Sequence, residues 1–255
     1  MRKYTRIWFR IALLAAGSTA IVGLTGGPSQ AADDAEVYIV QGLPGKSLDI
    51  AVDGKTVASN VRTAGVVGPF DVAGGNRKVT FTDGGDVVLE RMFTVTAKSS
   101  WDVVVHLPSS ATAKPAVTVF RNDGVRLPEG KAALTIAHTA SVPPADIRVD
   151  GKVLFANVAN GESLNLTVPV ATYKVDIVPT GKRGPVLLGP LSLTVKGGAL
   201  NRVYAVGDPT NKTMNIAVHV IATGTAGSSE PRRVNTGTGG QAVGAGPSLG
   251  PSLTR

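Results

Sequence analysis

The sequence predicts an all-β protein of two tandem β-sandwich modules, and three observations support this prediction. A pattern, D-I-x-V-D-G-K-x-x-x-x-N-V, occurs at residues 49–61 and again at residues 146–158, with eight of its thirteen positions identical. Turn residues recur about every 8 to 12 residues between runs of alternating apolar and polar side chains, which is the spacing of a sandwich. No window of eleven or more residues beyond the N-terminal segment keeps a helical period. The chain is therefore an internal duplication of a β module.

The N-terminal segment has the composition of a Sec-type signal peptide. Four basic residues and no acid are followed by an apolar run from Ile11 to Leu24, and Ser29 and Ala31 supply the small residues that signal peptidase requires. We therefore expect residues 1–31 to be removed and the mature protein to be secreted, extracellular or associated with the cell surface, without a stable membrane span. A retained membrane anchor is the alternative, which the short apolar run disfavours.

The first module, residues 35–122, divides into eight predicted strands at turn residues such as Pro44-Gly45 and Gly74-Gly75. The predicted strands are residues 36–41, 47–53, 55–59, 66–72, 77–82, 87–97, 101–107 and 116–121. The second module, residues 131–222, repeats this order. In both modules an Asp-Gly pair follows the first strand of the repeated pattern and predicts a tight hairpin turn, because that turn needs residues that tolerate a positive φ.

Alignment of the two modules predicts their cores. Positions that are apolar in both copies and two residues apart share one face of a strand, and we assign that face to the interior. The aligned pairs are Ile50 and Val52 with Ile147 and Val149, Val79 and Phe81 with Val175 and Ile177, Phe93 and Val95 with Leu193 and Val195, and Val117 and Val119 with Ile216 and Val218. The positions between them are expected to face solvent.

The remaining segments are predicted to be a linker and a tail. Residues 123–130 are short and turn-rich, which suits a linker with a limited hinge motion. Residues 223–255 repeat Gly, Thr, Pro and Ser and lack the apolar residues needed to fold, so we expect a disordered low-complexity tail.

Charge and cysteine content exclude two classes of function. The formal charge of +8 falls to +4 when the four basic residues of 1–31 are removed, and the charges that remain are interspersed rather than clustered. This pattern is typical of an ordinary solvated surface and predicts no nucleic-acid binding. The chain has no cysteine, so it forms no disulfide and carries out no thiolate chemistry.

The ionisable residues do not form a recognisable catalytic or metal-binding pattern. His106, His138 and His219 each stand alone in or beside a strand, so we expect surface or strand-edge residues rather than zinc ligands. Asp53 and Asp150 lie in the hairpin turns, where Asp is preferred for its own backbone hydrogen bonding. The sequence thus predicts no catalytic residue, no metal site and no cofactor.

Sugar recognition by stacking requires exposed aromatic rings, and few are available. Register places Phe81, Phe93 and Trp101 inside, which leaves Tyr38, Tyr173 and Tyr204 as possible platforms. Tyr173 is better explained as a corner residue whose hydroxyl fixes a turn.

The ordered motifs resemble those of the bacterial domain-of-unknown-function family 4397. The resemblance is carried by both copies of the repeated pattern, His138 ahead of the second copy, V-P-V-A-T-Y at residues 168–173 and Y-A-V-G at residues 204–207. It extends over residues 35–222 as two tandem copies. The resemblance implies an Ig-like or transthyretin-like sandwich in a secreted or surface protein, and it implies no established activity.

These observations predict a non-enzymatic binding or scaffolding protein of the cell exterior, whose partner is an unknown extracellular protein or a cell-wall glycan. The two modules are near-copies of one scaffold, but their loops differ in length. Sandwich proteins commonly bind their ligands through such loops. Lys182 and Arg183 are the candidate ligand contacts, with a solvated turn as the alternative. The other functions considered are a polysaccharide- or peptidoglycan-binding accessory protein and, less favoured, a hydrolase with an unrecognised site.

Overall fold

A computed structural model describes residues 34–223 of the chain, so the predicted signal peptide and residues 224–255 of the predicted tail lie outside the described residues. The described part forms sixteen strands and no helix. The first eight are β1 Asp34–Gln41, β2 Ser47–Val52, β3 Lys55–Arg62, β4 Val66–Ala73, β5 Gly75–Asp83, β6 Asp86–Val95, β7 Ser100–His106 and β8 Ala116–Arg121. Each predicted strand of the first module corresponds to one of them, which confirms the all-β prediction.

The strands of the second half repeat this series. They are β9 Lys131–His138, β10 Ala145–Val149, β11 Lys152–Val158, β12 Ser163–Pro169, β13 Thr172–Pro179, β14 Leu188–Thr194, β15 Ala199–Val206 and β16 Asn215–Ala222. In both halves the hairpin that contains Asp-Gly joins the second and third strands, as predicted.

Each half is a sandwich of two four-stranded sheets with one shared strand order. The first half has the sheets β4-β1-β7-β8 and β3-β2-β5-β6, and the second has β12-β9-β15-β16 and β11-β10-β13-β14. Neighbouring strands are antiparallel except for β1 with β7 and β9 with β15, which are parallel. Because the immunoglobulin order is ABED with CFG, the transthyretin-like form of the predicted class describes these sheets better.

Each sandwich has its own apolar core between its two sheets. Phe81, Ile50 and Val103 lie in the first core, and Ile147, Ile177 and Val203 lie in the second. The aligned apolar pairs lie in or against these cores, with two exceptions. Val149 is only half-buried beside its hairpin turn, and Val218 is 40% exposed because it lies on the edge strand β16.

The two sandwiches pack against each other through β4-β1-β7-β8 and β12-β9-β15-β16, which we call the inner sheets. A third apolar cluster joins Val40, Val104 and Phe120 of the first half with Ala137, Tyr204, Val206 and Ala217 of the second. This cluster is the inter-module interface. Leu127 of the linker is also fully buried and packs against Ala133 and Leu200. Any hinge motion at residues 123–130 would therefore have to open a buried contact.

Candidate functional site

The first acidic residue of each repeated motif has a structural role. The Asp49 Oδ1 atom accepts a hydrogen bond from the Asn60 backbone N–H, and Asp146 Oδ1 does the same for Asn157, at 2.9 Å in both modules. Both asparagines have left-handed backbones, with φ of 55° and 58°, beside a register shift in the pairing of their strands. Asn tolerates this conformation better than most residues. The Asp and Asn of the motif are therefore paired to form a bulge.

The second acidic residue of each motif fixes the hairpin turn. Asp53 and Gly54 have φ of 49° and 82°, and the Asp-Gly of the second module has similar values, as a type I′ turn requires. Asp53 Oδ1 also accepts the Lys78 backbone N–H at 2.9 Å, and this hydrogen bond is the main cause that lowers the pKa of Asp53. Asp150 Oδ1 accepts the Lys174 N–H at 3.2 Å. The predicted turn roles are confirmed, and the repeated motif stabilises the fold.

The three histidines were predicted to be surface or strand-edge residues, and the surface part of this prediction is wrong, although His106 and His138 do end their strands. His106, His138 and His219 are all buried, with at most 8% of the residue exposed. His106, at the end of β7, and His219, on β16, lie on the faces of the inner sheets that the other module covers, whereas His138, at the end of β9, shares its face with Leu134 and Ile136 of the second core. Strand alternation assigned the outward side of the inner sheets to solvent, whereas the other module covers that side.

One end of the interface holds a buried polar group that we call the carboxylate cluster, formed by Asp102, Asn122, Tyr204 and His219. Asp102 is fully buried. Its carboxylate accepts hydrogen bonds from Asn122 Nδ2 at 2.8 Å, from His219 Nδ1 at 3.0 Å and from the Tyr204 hydroxyl. Burial and then the Asp102 carboxylate raise the pKa of Tyr204 well above its usual range, so its hydroxyl stays a donor. The cluster connects the two modules through charge-assisted hydrogen bonds.

The carboxylate cluster contains an Asp–His pair, which in serine hydrolases orients the catalytic base. Here the His219 ring forms its hydrogen bonds through Nδ1 with the two carboxylate oxygens of Asp102, and its centroid lies 4.1 Å from that of the Tyr38 ring. No serine or threonine among residues 34–223 is hydrogen-bonded to His219. Because His219 is almost inaccessible to solvent, this arrangement is better suited to holding the modules together than to acyl transfer.

His106 and His138 lie close enough at the opposite end of the inner sheets for His138 to lower the pKa of His106, and we call them the histidine pair. His106 Nδ1 lies 2.9 Å from the Leu107 carbonyl oxygen and Nε2 lies 2.8 Å from Thr118 Oγ1. His138 Nε2 lies 3.5 Å from the Pro143 carbonyl oxygen, and its Nδ1 is buried without a hydrogen-bond partner. Burial lowers the pKa of both rings. Both side chains are therefore neutral in this packed state at neutral pH.

Two open cavities adjoin the carboxylate-cluster end of the interface, and we call them together the junction groove. They have volumes of about 360 and 480 Å³ and share Arg121 and Asp123, whose side chains form an ion pair at 2.9 Å. The smaller cavity is lined by the inner sheet of the second module, including Asn165 and Thr167. The larger is lined by the first module, including Glu36 and Ser100. The volumes suit a small ligand, and the lining is polar in the larger cavity and mixed in the smaller one, which includes Val125, Leu166 and Leu200.

The candidate contacts Lys182 and Arg183 are exposed in the loop between β13 and β14. The Arg183 carbonyl accepts a hydrogen bond from Arg148 Nη1 at 3.2 Å, and Arg148 forms an ion pair with Asp176. Neither candidate lines the junction groove. Their role in binding stays a prediction.

The three tyrosines proposed to stack on a sugar already make contacts within the protein. Tyr204 is fully buried, so the prediction that it could stack on a sugar is wrong. Tyr38 is half-buried and its ring packs on His219. The Tyr173 hydroxyl donates to the Pro169 carbonyl at 2.8 Å, which confirms its turn-fixing role.

Two further kinds of site are absent from the described part of the chain. Among residues 34–223, no group of three or more His, Asp or Glu side chains is arranged to hold a metal ion. Over the same range, no helix is long and apolar enough to cross a membrane.

Comparison with known proteins gives one family. Residues 35–144 match the model of a domain of unknown function, DUF4397. The match spans the first sandwich, the linker, β9 and the loop that follows β9. No curated protein matches the chain. The family supplies no activity to transfer to this site.

Proposed function

We propose that this protein is a secreted or envelope-associated, non-enzymatic binding or scaffolding protein composed of two DUF4397-like modules. The second copy of the module is supported by the repeated motif with the same hydrogen bonds in both halves and by the identical strand order of the sheets. Export is supported by the sequence of residues 1–31.

The observation that carries the binding proposal is the junction groove. The two cavities of the groove are lined by opposite modules and share Arg121, at the end of β8, and Asp123 of the linker, and the buried inter-module interface holds the modules together. Ligand binding in a groove formed by both modules requires those modules to keep a fixed packing, whereas binding to one sandwich alone would not. Ordinary loop recognition through Lys182 and Arg183 is the second candidate surface.

A binding experiment separates the two surfaces. Mature protein would be immobilised and exposed to isolated cell wall and, separately, to culture-medium proteins. We expect the immobilised protein to retain a component of one of these samples. Arg121→Ala should reduce that retention, and so should Thr167→Tyr, which places a bulky ring in the groove. A Lys182→Ala/Arg183→Ala double variant should leave the retention unchanged. Loss of retention only in the double variant would move the site to the β13–β14 loop. Retention of purified wall polysaccharide would favour the glycan-binding alternative over a protein partner.

A screen for turnover tests the non-enzymatic part of the proposal. The mature protein would be assayed against esterase, glycosidase and peptidase substrates, with and without divalent metals. We expect no turnover that follows the protein through purification. Activity that disappears in a His219→Gln variant would favour the hydrolase instead.

A further inference from the structure

Arg202 is a buried cation that lines the smaller cavity of the junction groove. It lies on β15, beside Thr135 of β9, and only 5% of the residue is exposed. Because arginine stays protonated in proteins, burial does not remove its charge. The residue is part of the lining of the smaller cavity, so this charge borders a space that a ligand can enter.

The charge of Arg202 has no carboxylate partner within residues 34–223. No Asp or Glu of that range forms an ion pair with it. Its Nη2 donates to the Arg121 carbonyl, whereas its Nε–H is buried without an acceptor. By contrast, the half-buried Arg148 forms an ion pair with Asp176. Buried charges in proteins are normally paired, and Arg202 departs from this rule.

The carboxylate cluster does not supply the missing partner. The Tyr204 hydroxyl lies beside Arg202, but it donates its proton to Asp102. The Asp102 carboxylate also accepts hydrogen bonds from Asn122 and His219. It is therefore shared among three donors of the cluster, and it forms no ion pair with Arg202.

A second cation lies at the rim of the same cavity. Arg121 is exposed at the end of β8, and its side chain forms an ion pair with Asp123 at 2.9 Å. Two arginines and one aspartate are the charged residues of this lining, so its net charge is +1. A cavity of one sign concentrates ligands of the opposite sign, and salt screens a buried charge less than an exposed one. The lining therefore favours an anionic ligand.

The floor of the cavity offers side chains rather than free backbone groups. Thr135, Asn165 and Thr167 line it from β9 and β12, which pair with each other, and β9 also pairs with β15. An extended peptide that binds through its backbone needs the unpaired groups of a strand edge, whereas this floor is the face of paired strands. Hydroxyl and amide side chains, with the apolar Val125 and Leu200 beside them, suit the hydroxyl groups and C–H faces of a sugar.

We propose that the smaller cavity of the junction groove binds a carboxylate-bearing sugar, such as a uronate, and that Arg202 holds the carboxylate of that sugar. This inference rests on the proposed function, which makes the junction groove the ligand site. A guanidinium presents several fixed N–H donors to a carboxylate, whereas the ammonium of lysine is a single point charge. The bound carboxylate is the partner that Arg202 lacks within the protein.

Titration with two matched sugars tests the requirement for a carboxylate. Glucuronate and its methyl ester have the same ring, but the ester has no charge. Their binding to the mature protein would be followed by heteronuclear NMR. We expect glucuronate to bind about ten- to a hundredfold more tightly than the ester, the usual effect of a hydrogen bond to a charged group. The Arg202 Nε–H resonance, identified by its loss in Arg202→Lys, should shift when glucuronate binds.

Three variants identify the residues that bind the sugar. Arg202→Lys should lose most of the preference for glucuronate over the ester, because it keeps the charge but not the planar donors. Arg91→Lys is the matched control and should keep the preference, since Arg91 is exposed on β6 and lines neither cavity. Thr167→Tyr, at an exposed position of the floor, should abolish binding of both sugars, and it decides if Arg202→Lys does not fold.

Three results would overturn the proposal. They are equal affinities for glucuronate and its ester, a preference for glucuronate that persists in Arg202→Lys, and binding of hexaglutamate, but not of glucuronate, that depends on Arg202. If Thr167→Tyr reduces retention of a cell-wall or medium component but neither sugar binds, the proposed function stands and this inference fails. If that retention does not depend on the groove and neither sugar binds, both fail.

Discussion

Replacing Tyr204 with Phe tests whether the carboxylate cluster stabilises the protein. The Tyr204 hydroxyl is fully buried and donates to Asp102, which accepts further hydrogen bonds from Asn122 and His219. The substitution removes one donor, keeps the ring that packs 5.6 Å from Phe120, and leaves the Asp102 carboxylate with two of its three partners. The change therefore isolates a single hydrogen bond to a buried acidic group.

The expected loss is about 1.5–3 kcal/mol in the free energy of unfolding, the usual contribution of a hydrogen bond to a charged group. Asp102→Ala should cost more, about 3–5 kcal/mol, because it leaves the buried Tyr204 and His219 donors without their common acceptor. Since Tyr204 and Asp102 belong to different modules, both losses should appear in the stability of the packed pair.

Urea denaturation followed by circular dichroism would measure these losses. Tyr173→Phe is the matched control, because it also removes a tyrosine hydroxyl hydrogen bond, but one made to a neutral carbonyl at an exposed turn. We expect the control to cost less than about 1 kcal/mol. A Tyr204→Phe protein within about 0.5 kcal/mol of the unmodified protein would refute the argument that the cluster is a stabilising contact.

Four further predictions concern other parts of the molecule. Val104→Glu buries a charge in the apolar centre of the interface and should enlarge the radius of gyration measured by small-angle X-ray scattering. Val87→Glu, at an exposed site, should leave the radius unchanged. Equal radii for the two variants would contradict the interface. Phe81→Ala should lower the free energy of unfolding by about 3–5 kcal/mol, and a loss below about 1 kcal/mol would remove Phe81 from the core. A fragment of residues 131–222 should fold cooperatively around its own core, and a disordered circular dichroism spectrum would show that the modules need each other. N-terminal sequencing of secreted protein should begin at Ala32, and an uncleaved membrane-bound form would favour an anchor.

The strands and hairpins could be predicted from the sequence because their causes are local. Turn residues mark the strand ends, and the Asp-Gly pairs have the backbone conformation that their turn type requires. The apolar cores could be predicted because alternation in one module is repeated in the other. Val218 was assigned wrongly because alternation does not distinguish a central strand from the edge strand β16.

The interface could not be predicted, because it depends on contacts between residues about 100 positions apart. A partial signal does exist in β7, W-D-V-V-V-H at residues 101–106, where three valines in succession interrupt the alternation. Strands buried on both faces have such continuous apolar runs. That signal would have placed Asp102 and His106 inside, but it would not have identified what covers them.

The register of the inner sheets has a consequence for the duplication itself. Gln41 pairs with Val105 as His138 pairs with Ala205, so Asp102 and Arg202 occupy equivalent positions, as do Val104 and Tyr204. The cores of the two copies have stayed alike while the faces that meet have diverged into complementary halves. A chain made of two first modules would bury two Asp102 carboxylates without the hydrogen bonds that Tyr204 and His219 form with Asp102 here. The molecule is in this sense a heterodimer encoded on one chain, and neither half can substitute for the other.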